Sequence, residues 1–553
     1  MGALSRAEQV HIGSFRACSP RHLPAIKRPE PVQSRRASTT RTSSDRWPGW
    51  QPVIGLELHV QLKGNVKLLS PAKALYDDAP NTSIAAFDAA LPGSLPRIGA
   101  EPVRLAVLAC LALKTEVNQA STFDRKHYFY PDLPAGFQVT QKYSPLAKDG
   151  IVNVKNPVLV AGEEQETFAV RIEQIQLEQD TAKSSHDPET GMTLVDLNRA
   201  GAALIEIVTK PDMRSPAEAA AFVRHLQAIL RHVGVSDANM DRGELRCDVN
   251  VSVQRTSEDS LRGTRCEIKN LNGVRFLATA IESEIERQIN ELENGGTIEQ
   301  ATRGFNAVTG QTFHLRGKED APDYRYMPDP ELGAVVVTHN QLEQLRDGLP
   351  ELPDEAFARL KRQYGLASRE AGILVALGER MDDEPHGEEL ESLAGLGMRF
   401  FEEVAQGREA QTAANWVIHE LLGALSKSNM TLASSPVNPQ DLGTLIDAVT
   451  QGRLTGTFGK ALLKDFIAKP NPLRTLPQLV TESINASPST DSLDDVCAQV
   501  INDLPAEANK VRKGQIKVLM RLVGEVMRRT NGRADAQKAR AKLLSMLDTE
   551  ARS

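Results

Sequence analysis

Residues 53–62 read Val-Ile-Gly-Leu-Glu-Leu-His-Val-Gln-Leu. On an extended backbone alternate side chains share a face, so Ile54, Leu56, Leu58 and Val60 point one way while Glu57 and His59 point the other. The pattern predicts a strand with one face in a core and the other either plainly solvated or put to chemical use. Residues 168–180 repeat it, Ile175 and Leu177 opposing Gln176, Glu178 and Asp180. Residues 204–208 are apolar except for Glu206, and Pro211 stops them. Cys247, Val249, Val251 and Val253 alternate with Arg246, Asp248, Asn250 and Ser252, and a second strand over 265–269 makes the pair a predicted hairpin. Helical spacing takes over at 103–113, after the Ser215-Pro216-Ala217-Glu218 start signal, and along Leu277, Ile281, Ile285, Ile289 and Leu292 until Gly295-Gly296. Strands separated by single helices and hairpins predict an α+β fold rather than a doubly wound sheet. Beyond Leu349-Pro350-Glu351-Leu352-Pro353 strand signals fade, and residues 354–553 read as helices with connectors near 434–440 and 469–477. No internal repeat is present.

With 553 residues the chain exceeds one core, and two to four domains are expected. The longest apolar run, near 103–113, is about half of the ~20 residues a bilayer span needs, which argues against a membrane protein. A net charge of −7 excludes a chain basic throughout but leaves room for a local basic patch. The five cysteines are widely spaced, so neither a disulfide framework nor a cysteine zinc site is expected. Residues 1–48 stand apart: nine arginines and lysines face Glu8, Glu30 and Asp45 among many serines and threonines, with no long apolar centre. That is the composition of an organellar transit peptide, and a disordered basic tail would share it.

No Walker phosphate loop is present, since Gly452 to Lys460 has the wrong glycine spacing and Ala461 stands where a hydroxyl is required. No His-Glu-x-x-His motif, nucleophile elbow or amidase serine cluster appears. Glu57, His59, Glu178 and Glu206 form the best constellation. Carboxylates about 4 Å apart repel by ~4 kcal/mol at an effective dielectric of 20, and a divalent cation would remove that cost. Oxygen-rich ligation suits Mg²⁺, with Mn²⁺ acceptable to the imidazole. In the motif Phe123-Asp-Arg-Lys-His-Tyr-Phe-Tyr-Pro-Asp-Leu-Pro134, Arg125 and Lys126 can hold phosphate or carboxylate, and Tyr128, Phe129 and Tyr130 can stack on bases or sugars; ordinary loop packing would use the same residues. Asp323-Tyr-Arg-Tyr326, after Arg316 and Lys318, offers the same mixture. Near the C-terminus Ile516, Leu519, Val523 and Val526 form one predicted helix stripe, and Lys517, Arg521 and Arg528 form another, either a nucleic-acid-backbone contact or a solvated face.

These motifs, together with Ile54-Gly-Leu-Glu-Leu-His59, Asp196-Leu-Asn-Arg-Ala-Gly201, Leu204-Ile-Glu-Ile-Val208, Arg246-Cys-Asp-Val-Asn-Val-Ser252 and Glu267-Ile-Lys-Asn-Leu-Asn272, resemble the B-type subunits of the aspartyl/glutamyl-tRNA amidotransferases (the GatB family), in that family's order from about residue 51 onwards. The resemblance implies ATP-dependent phosphorylation of the γ-carboxylate of Glu-tRNA(Gln), then displacement of phosphate by ammonia from a separate A-type amidase subunit, with a small third subunit of C or F type. It places Glu57, His59, Glu178 and Glu206 on the family's Mg²⁺ positions, and it implies that Arg125, Arg246, Lys269 and Arg325 bind phosphate or substrate. Lys126 and Gln179 fall on its ammonia passage, where many bacterial relatives carry glutamate in place of Gln179; a neutral amide cannot form that ion pair. The implied organisation is a transit peptide over 1–48, a catalytic cradle over 49–345, a helical linker over 346–440 and a tail similar to YqeY proteins over 441–553, in the mitochondrial matrix. A non-catalytic tRNA-binding scaffold and a metal-dependent phosphohydrolase are the competing readings.

Overall fold

The computed structural model describes residues 46–74, 78–155, 167–256, 263–317, 323–377, 395–469, 473–485, 490–530 and 534–550. The expected leader lies outside them up to residue 45. The chain divides between Leu352 and Pro353 into two compact units.

The first unit is built on a nine-stranded sheet. In chain order its strands are β1 (Trp50–Gln61), β2 (Glu116–Val117), β3 (Ala147–Lys155), β4 (Thr167–Gln179), β5 (Ala203–Thr209), β6 (Leu245–Arg255), β7 (Cys266–Leu271), β8 (Ala301–Asn306) and β9 (Gln311–Gly317). In space they run β9-β8-β7-β6-β1-β5-β4-β3-β2, so the opening strand of the sequence is central. All neighbours are antiparallel except β7 and β8, which are parallel because the helix at Val274–Glu293 intervenes. The described helices of this unit are α1 (Ala100–Ala112), α2 (Pro216–Val233), α3 (Val274–Glu293) and α4 (His339–Asp347).

Alternation fixes what each face does. Leu56, Leu58 and Val60 of β1, Ile205 and Ile207 of β5, and Cys247, Val249 and Val251 of β6 join one core with Phe222 of α2 and Ile281 of α3. A fully buried leucine contributes about 1.5–3 kcal/mol, and Leu58→Ala would forfeit about 2–5 kcal/mol because its close-packed surroundings leave a cavity. The start of α2 follows the sequence signal: Ser215 Oγ accepts the Glu218 amide at 3.1 Å, with Pro216 in the first turn and Gly234 closing the helix at φ +75°. Where the β5–β4 register shifts beside Thr209, that hydroxyl accepts the Leu56 amide at 2.9 Å, so the irregularity leaves no orphaned donor on β1. Three short strands, Asp124–His127, Phe137–Thr140 and Met327–Pro328, form a separate sheet tied to β4 by side chains. Gln138 Nε2 donates to the Gln179 carbonyl at 2.7 Å, and Gln141 Oε1 accepts the Leu177 amide at 3.0 Å.

The last strand is Val335–Val336, and the second unit is helical in its described residues. One core there runs from Ala356 to Val480 and a second from Leu493 to Leu547, so residue 440, the expected linker–tail division, falls inside the first. In the second core Leu519, Val523 and Val526 are buried as the stripe predicts, but Ile516 is 58% exposed. Ile516–Val518 forms a 3₁₀ turn and the α-helix begins only at Leu519, which takes Lys517 out of helical phase with Arg521 and Arg528.

Candidate active site

The face of the sheet opposite the core collects the ionisable residues. Register places Arg246 of β6 opposite His59 of β1, His59 opposite Glu206 of β5, and Glu206 opposite Gln176 of β4, one polar row crossing four strands. Glu57 sits two residues along β1, opposite Asp248. Ligand atoms of Glu57, His59 and Glu206 lie within 4.8 Å of one another. Glu178 stands beside them, 1% exposed, with its Oε2 at 3.2 Å from His59 Nε2; Glu206 Oε2 is 3.9 Å from the same nitrogen. Three strands far apart in sequence, β1, β4 and β5, thus bring the four expected residues together, Glu178 on the edge of a tighter group of three.

Crowding sets the protonation states. Burial disfavours the His59 imidazolium, but Glu178, Glu206 and Glu57 outweigh it and push the imidazole up to about 9. Burial and the neighbouring Glu178 charge push Glu206 up to about 8, so it keeps its proton at neutral pH, while Gln176 Nε2 donates to its Oε2 at 2.5 Å. Burial would also raise Glu178, yet His59 and the Lys126 ammonium hold it below the ordinary carboxylate range. Although His59 is near, neither oxygen of the buried Glu178 receives a well-directed hydrogen bond. An acid forced to keep its proton and a buried carboxylate left unsatisfied are what a divalent cation would relieve, and two carboxylates with an imidazole are a donor set that Mg²⁺ or Mn²⁺ accepts.

Glu57 and Glu206 form one wall of a cavity of about 320 Å³. Lys126, Lys142, Arg265, Lys269 and Arg316 supply positive charge around it, and Tyr324 and Tyr326 line it too. Lys126 Nζ lies 4.8 Å from the Tyr324 ring centre; burial disfavours its charge, but Glu178, Tyr326 and Glu206 raise its pKa overall. Lys269 reaches Asp248 at 2.5 Å and Glu267 at 2.9 Å, holding it against the sheet.

The other expected phosphate or substrate holders are placed differently. Arg125 donates to Asp329 at 2.7 Å and Glu331 at 3.0 Å and stacks 4.1 Å from the Phe137 ring centre, so it is a strut between chain segments rather than a cavity wall. Arg246 donates to Asp180 at 2.8 Å behind His59. Arg325 is 82% exposed at the side chain and lines a neighbouring groove. Gln179 is buried and its Oε1 accepts the Val139 amide at 3.3 Å, a tie between strand and hairpin. In the helical tail Arg521 lies 3.4 Å from Glu507 and Arg528 2.7 Å from Glu525. Sequence reasoning missed Gln176 as a partner of Glu206 and overlooked Lys142 and Arg265 as wall residues. Gln176 was findable, sharing its face with Glu178, but the two cations come from ends of segments that only the tertiary fold brings round.

An acid–imidazole cluster on the open face of an α+β sheet, ringed by cations, defines a domain built to handle an anionic substrate. Residues 52–343 match the family described as the GatB/GatE catalytic domain, and residues 399–547 match the GatB domain, so the chain belongs to the GatB family. It is 43% identical to the mitochondrial B-type subunit of the glutamyl-tRNA(Gln) amidotransferase of Mycosarcoma maydis, over 90% of this chain and 86% of that protein. The protein of the same name from Laccaria bicolor is 44% identical, over 90% and 92%. The B-type subunit of the aspartyl/glutamyl-tRNA(Asn/Gln) amidotransferase of Methylobacterium nodulans is 42% identical, over 91% and 96%.

Proposed function

We propose that this chain is the carboxylate-activating component of a glutamyl-tRNA(Gln) amidotransferase, a carbon–nitrogen ligase of the mitochondrial matrix working with an A-type amidase and a small third subunit of C or F type. The observation that carries the reading is the cavity with Glu57 and Glu206 on one wall and Lys126, Lys142, Arg265, Lys269 and Arg316 around it. A γ-carboxylate and a triphosphate are both anions, and bringing them together needs cations around both and a way to disperse charge at the transferring phosphorus.

A γ-carboxylate oxygen attacks the terminal phosphorus of ATP, a P–O bond forms, and the bond to ADP breaks. Ammonia then attacks the acyl carbon, forming the C–N bond; phosphate leaves and the surplus proton goes to phosphate or solvent. Glu57, His59 and Glu206 would hold Mg²⁺, with Glu178 beside His59, and the ion would spread charge over the phosphoryl oxygens. Lys142, Arg265 and Arg316 draw the phosphate oxygens in, and Lys269 is held ready by Asp248 and Glu267. Gln176 orients the Glu206 carboxyl. Lys126, adjoining Glu178 and the Tyr324 ring, stands where incoming ammonia would meet a fixed positive charge, and Gln179 anchors the adjoining hairpin without adding a second charge.

The test uses the assembled complex with its amidase inactivated and ammonium chloride supplied. Conversion of Glu-tRNA(Gln) to Gln-tRNA(Gln) should require ATP and Mg²⁺ and release one ADP per amide formed. Amidation without ATP consumption would leave this chain a scaffold.

A further inference from the structure

The sheet edge that supplies part of the cavity wall is thinly attached. β9 is the outermost strand, and β8 meets its inner neighbour β7 through two registered pairs, Glu267 with Thr302 and Ile268 with Arg303. Thr302 of β8 and Arg316 and Gly317 of β9 nevertheless line the acid-walled cavity. The ladder between the two edge strands is irregular at this point. Arg303 pairs with His314 and Thr302 with Arg316, which leaves Leu315 as an extra residue. A bulge of this kind re-aims a side chain, because a shift of one residue turns each position to the other face. Thr302 faces the cavity, its hydroxyl donating to Glu267 at 3.2 Å, so the bulge is what brings Arg316 to the cavity side. In a straight ladder Leu315 would take that place and Arg316 would turn to the other face.

A buried charge stands under the bulge. Glu284 of α3 is fully buried, lies 2.9 Å from Arg303 of β8 and accepts the Thr312 hydroxyl of β9 at 2.9 Å. Arg287 and Gln288 of its own helix donate to it at 2.6 and 2.8 Å. Arg303 in turn donates to the Thr312 carbonyl at 3.2 Å, and the Thr312 amide donates to Ser283 Oγ at 3.3 Å, so the helix and both edge strands are joined in one network. Burial alone would raise the Glu284 carboxyl, but the hydrogen bonds from Arg287 and Gln288 and the nearby Arg303 charge hold it below the ordinary carboxylate range. A buried ion pair is a poor route to stability, since apolar residues of similar volume often serve as well or better; what it does supply is intolerance of any other register. On the opposite face the Phe313 ring lies across Gly304, its registered partner, where any Cβ would collide with it. A slip of one residue would therefore lose the charge pairing on one face and the ring's seat on the other.

We propose that Glu284, with Arg303 and Thr312, is a positioning device for the cavity: it locks the β8–β9 register at the bulge and so holds the Arg316 guanidinium toward the phosphates of the nucleotide. The inference rests on the function proposed above, which gives Arg316 an anion to meet. None of the three residues lines the cavity, and they act on it through Arg316.

The test uses the assembled complex with ammonium chloride and saturating Glu-tRNA(Gln), and follows ADP formation against ATP concentration. Thr312 is the residue to change, because removing the Glu284 charge would strand the guanidinium groups around it and endanger the fold. Thr312→Val keeps the shape and removes the hydroxyl; it should lower kcat/KM for ATP by about tenfold, mainly through KM, a size ordinary for residues coupled in one network. Thr312→Ser keeps the hydroxyl and should restore most of that loss. Arg316→Ala should lose at least as much as Thr312→Val, and adding Thr312→Val to it should cost nothing further, because the clamp works only through that guanidinium. An unchanged kcat/KM in Thr312→Val, or an undiminished further loss when it is added to Arg316→Ala, would overturn the clamp and leave the proposed function standing. Amidation by the wild-type complex without ATP consumption would instead overturn the function proposed above, and this role of the clamp with it.

Discussion

Glu206 is the acid whose state depends most on what else occupies the site. Without a cation it keeps its proton up to about pH 8, and His59 keeps its own up to about pH 9. Both values exceed the ordinary 4.5 and 6.5, so over those windows the folded chain binds more protons than the unfolded chain and stability falls as pH rises. The His59 contribution is complete below pH 6.5 and lost through pH 9; the Glu206 penalty grows from pH 4.5 to pH 8. Chelator-treated protein is therefore expected to melt at progressively lower temperature from pH 6.5 to 9, and Glu206→Gln, permanently neutral, should flatten the part of that fall below pH 8. Thermal scans followed by circular dichroism check it, equal slopes counting against the protonated Glu206. Added Mg²⁺ should raise the wild-type melting temperature but hardly that of the variant, since only binding to the folded state stabilises. At this scale Glu57, His59 and Glu206 were readable because an ionisable group on an apolar strand needs a reason, whereas Arg125 misled because its partners Asp329 and Glu331 lie 204 and 206 residues further on.

The two faces of β1 decide where the site lies, and strand alternation was legible because its period is local. Cross-strand register was not, since the row Arg246–His59–Glu206–Gln176 joins strands that the chain visits far apart. The α2 start was equally plain, and Ser215→Ala should cost about 1 kcal/mol in a denaturant titration while leaving ATP-dependent amidation unchanged, because the hydroxyl serves only the helix cap. The tail was misread by one turn. A heptad-like spacing carried the predicted helix back through Ile516, but Gly514 takes a left-handed φ of +88° and a 3₁₀ turn follows. If the tail contacts tRNA phosphates, Lys517→Ala should lower the salt slope of tRNA binding by about 0.9, and Arg528→Ala by less, since Glu525 already neutralises it. Filter binding over a salt series distinguishes this from an unchanged slope in both variants, the signature of a solvated face.

For the whole chain, composition separated a sheet-bearing front from a helical rear because strands and helices impose different periods. It could not divide the rear, where the core from Ala356 to Val480 closes only in three dimensions. The match to the catalytic family begins at residue 52, just after the arginine- and serine-rich stretch, and if that stretch is a transit peptide the native protein is expected to start between about residues 36 and 48 and to be found in the matrix. N-terminal sequencing from purified mitochondria that returned any of the first twenty residues would contradict it. The central claim is that the acid-lined cavity itself transfers phosphate to the substrate carboxylate, and the Glu206→Gln complex tests it most directly. With ammonium chloride, ATP, Mg²⁺ and saturating Glu-tRNA(Gln), the measurement is ADP and Gln-tRNA(Gln) formed per unit time. The account predicts that the variant loses both products together while glutamine hydrolysis by the partner amidase continues; near-normal amidation by the variant would contradict it.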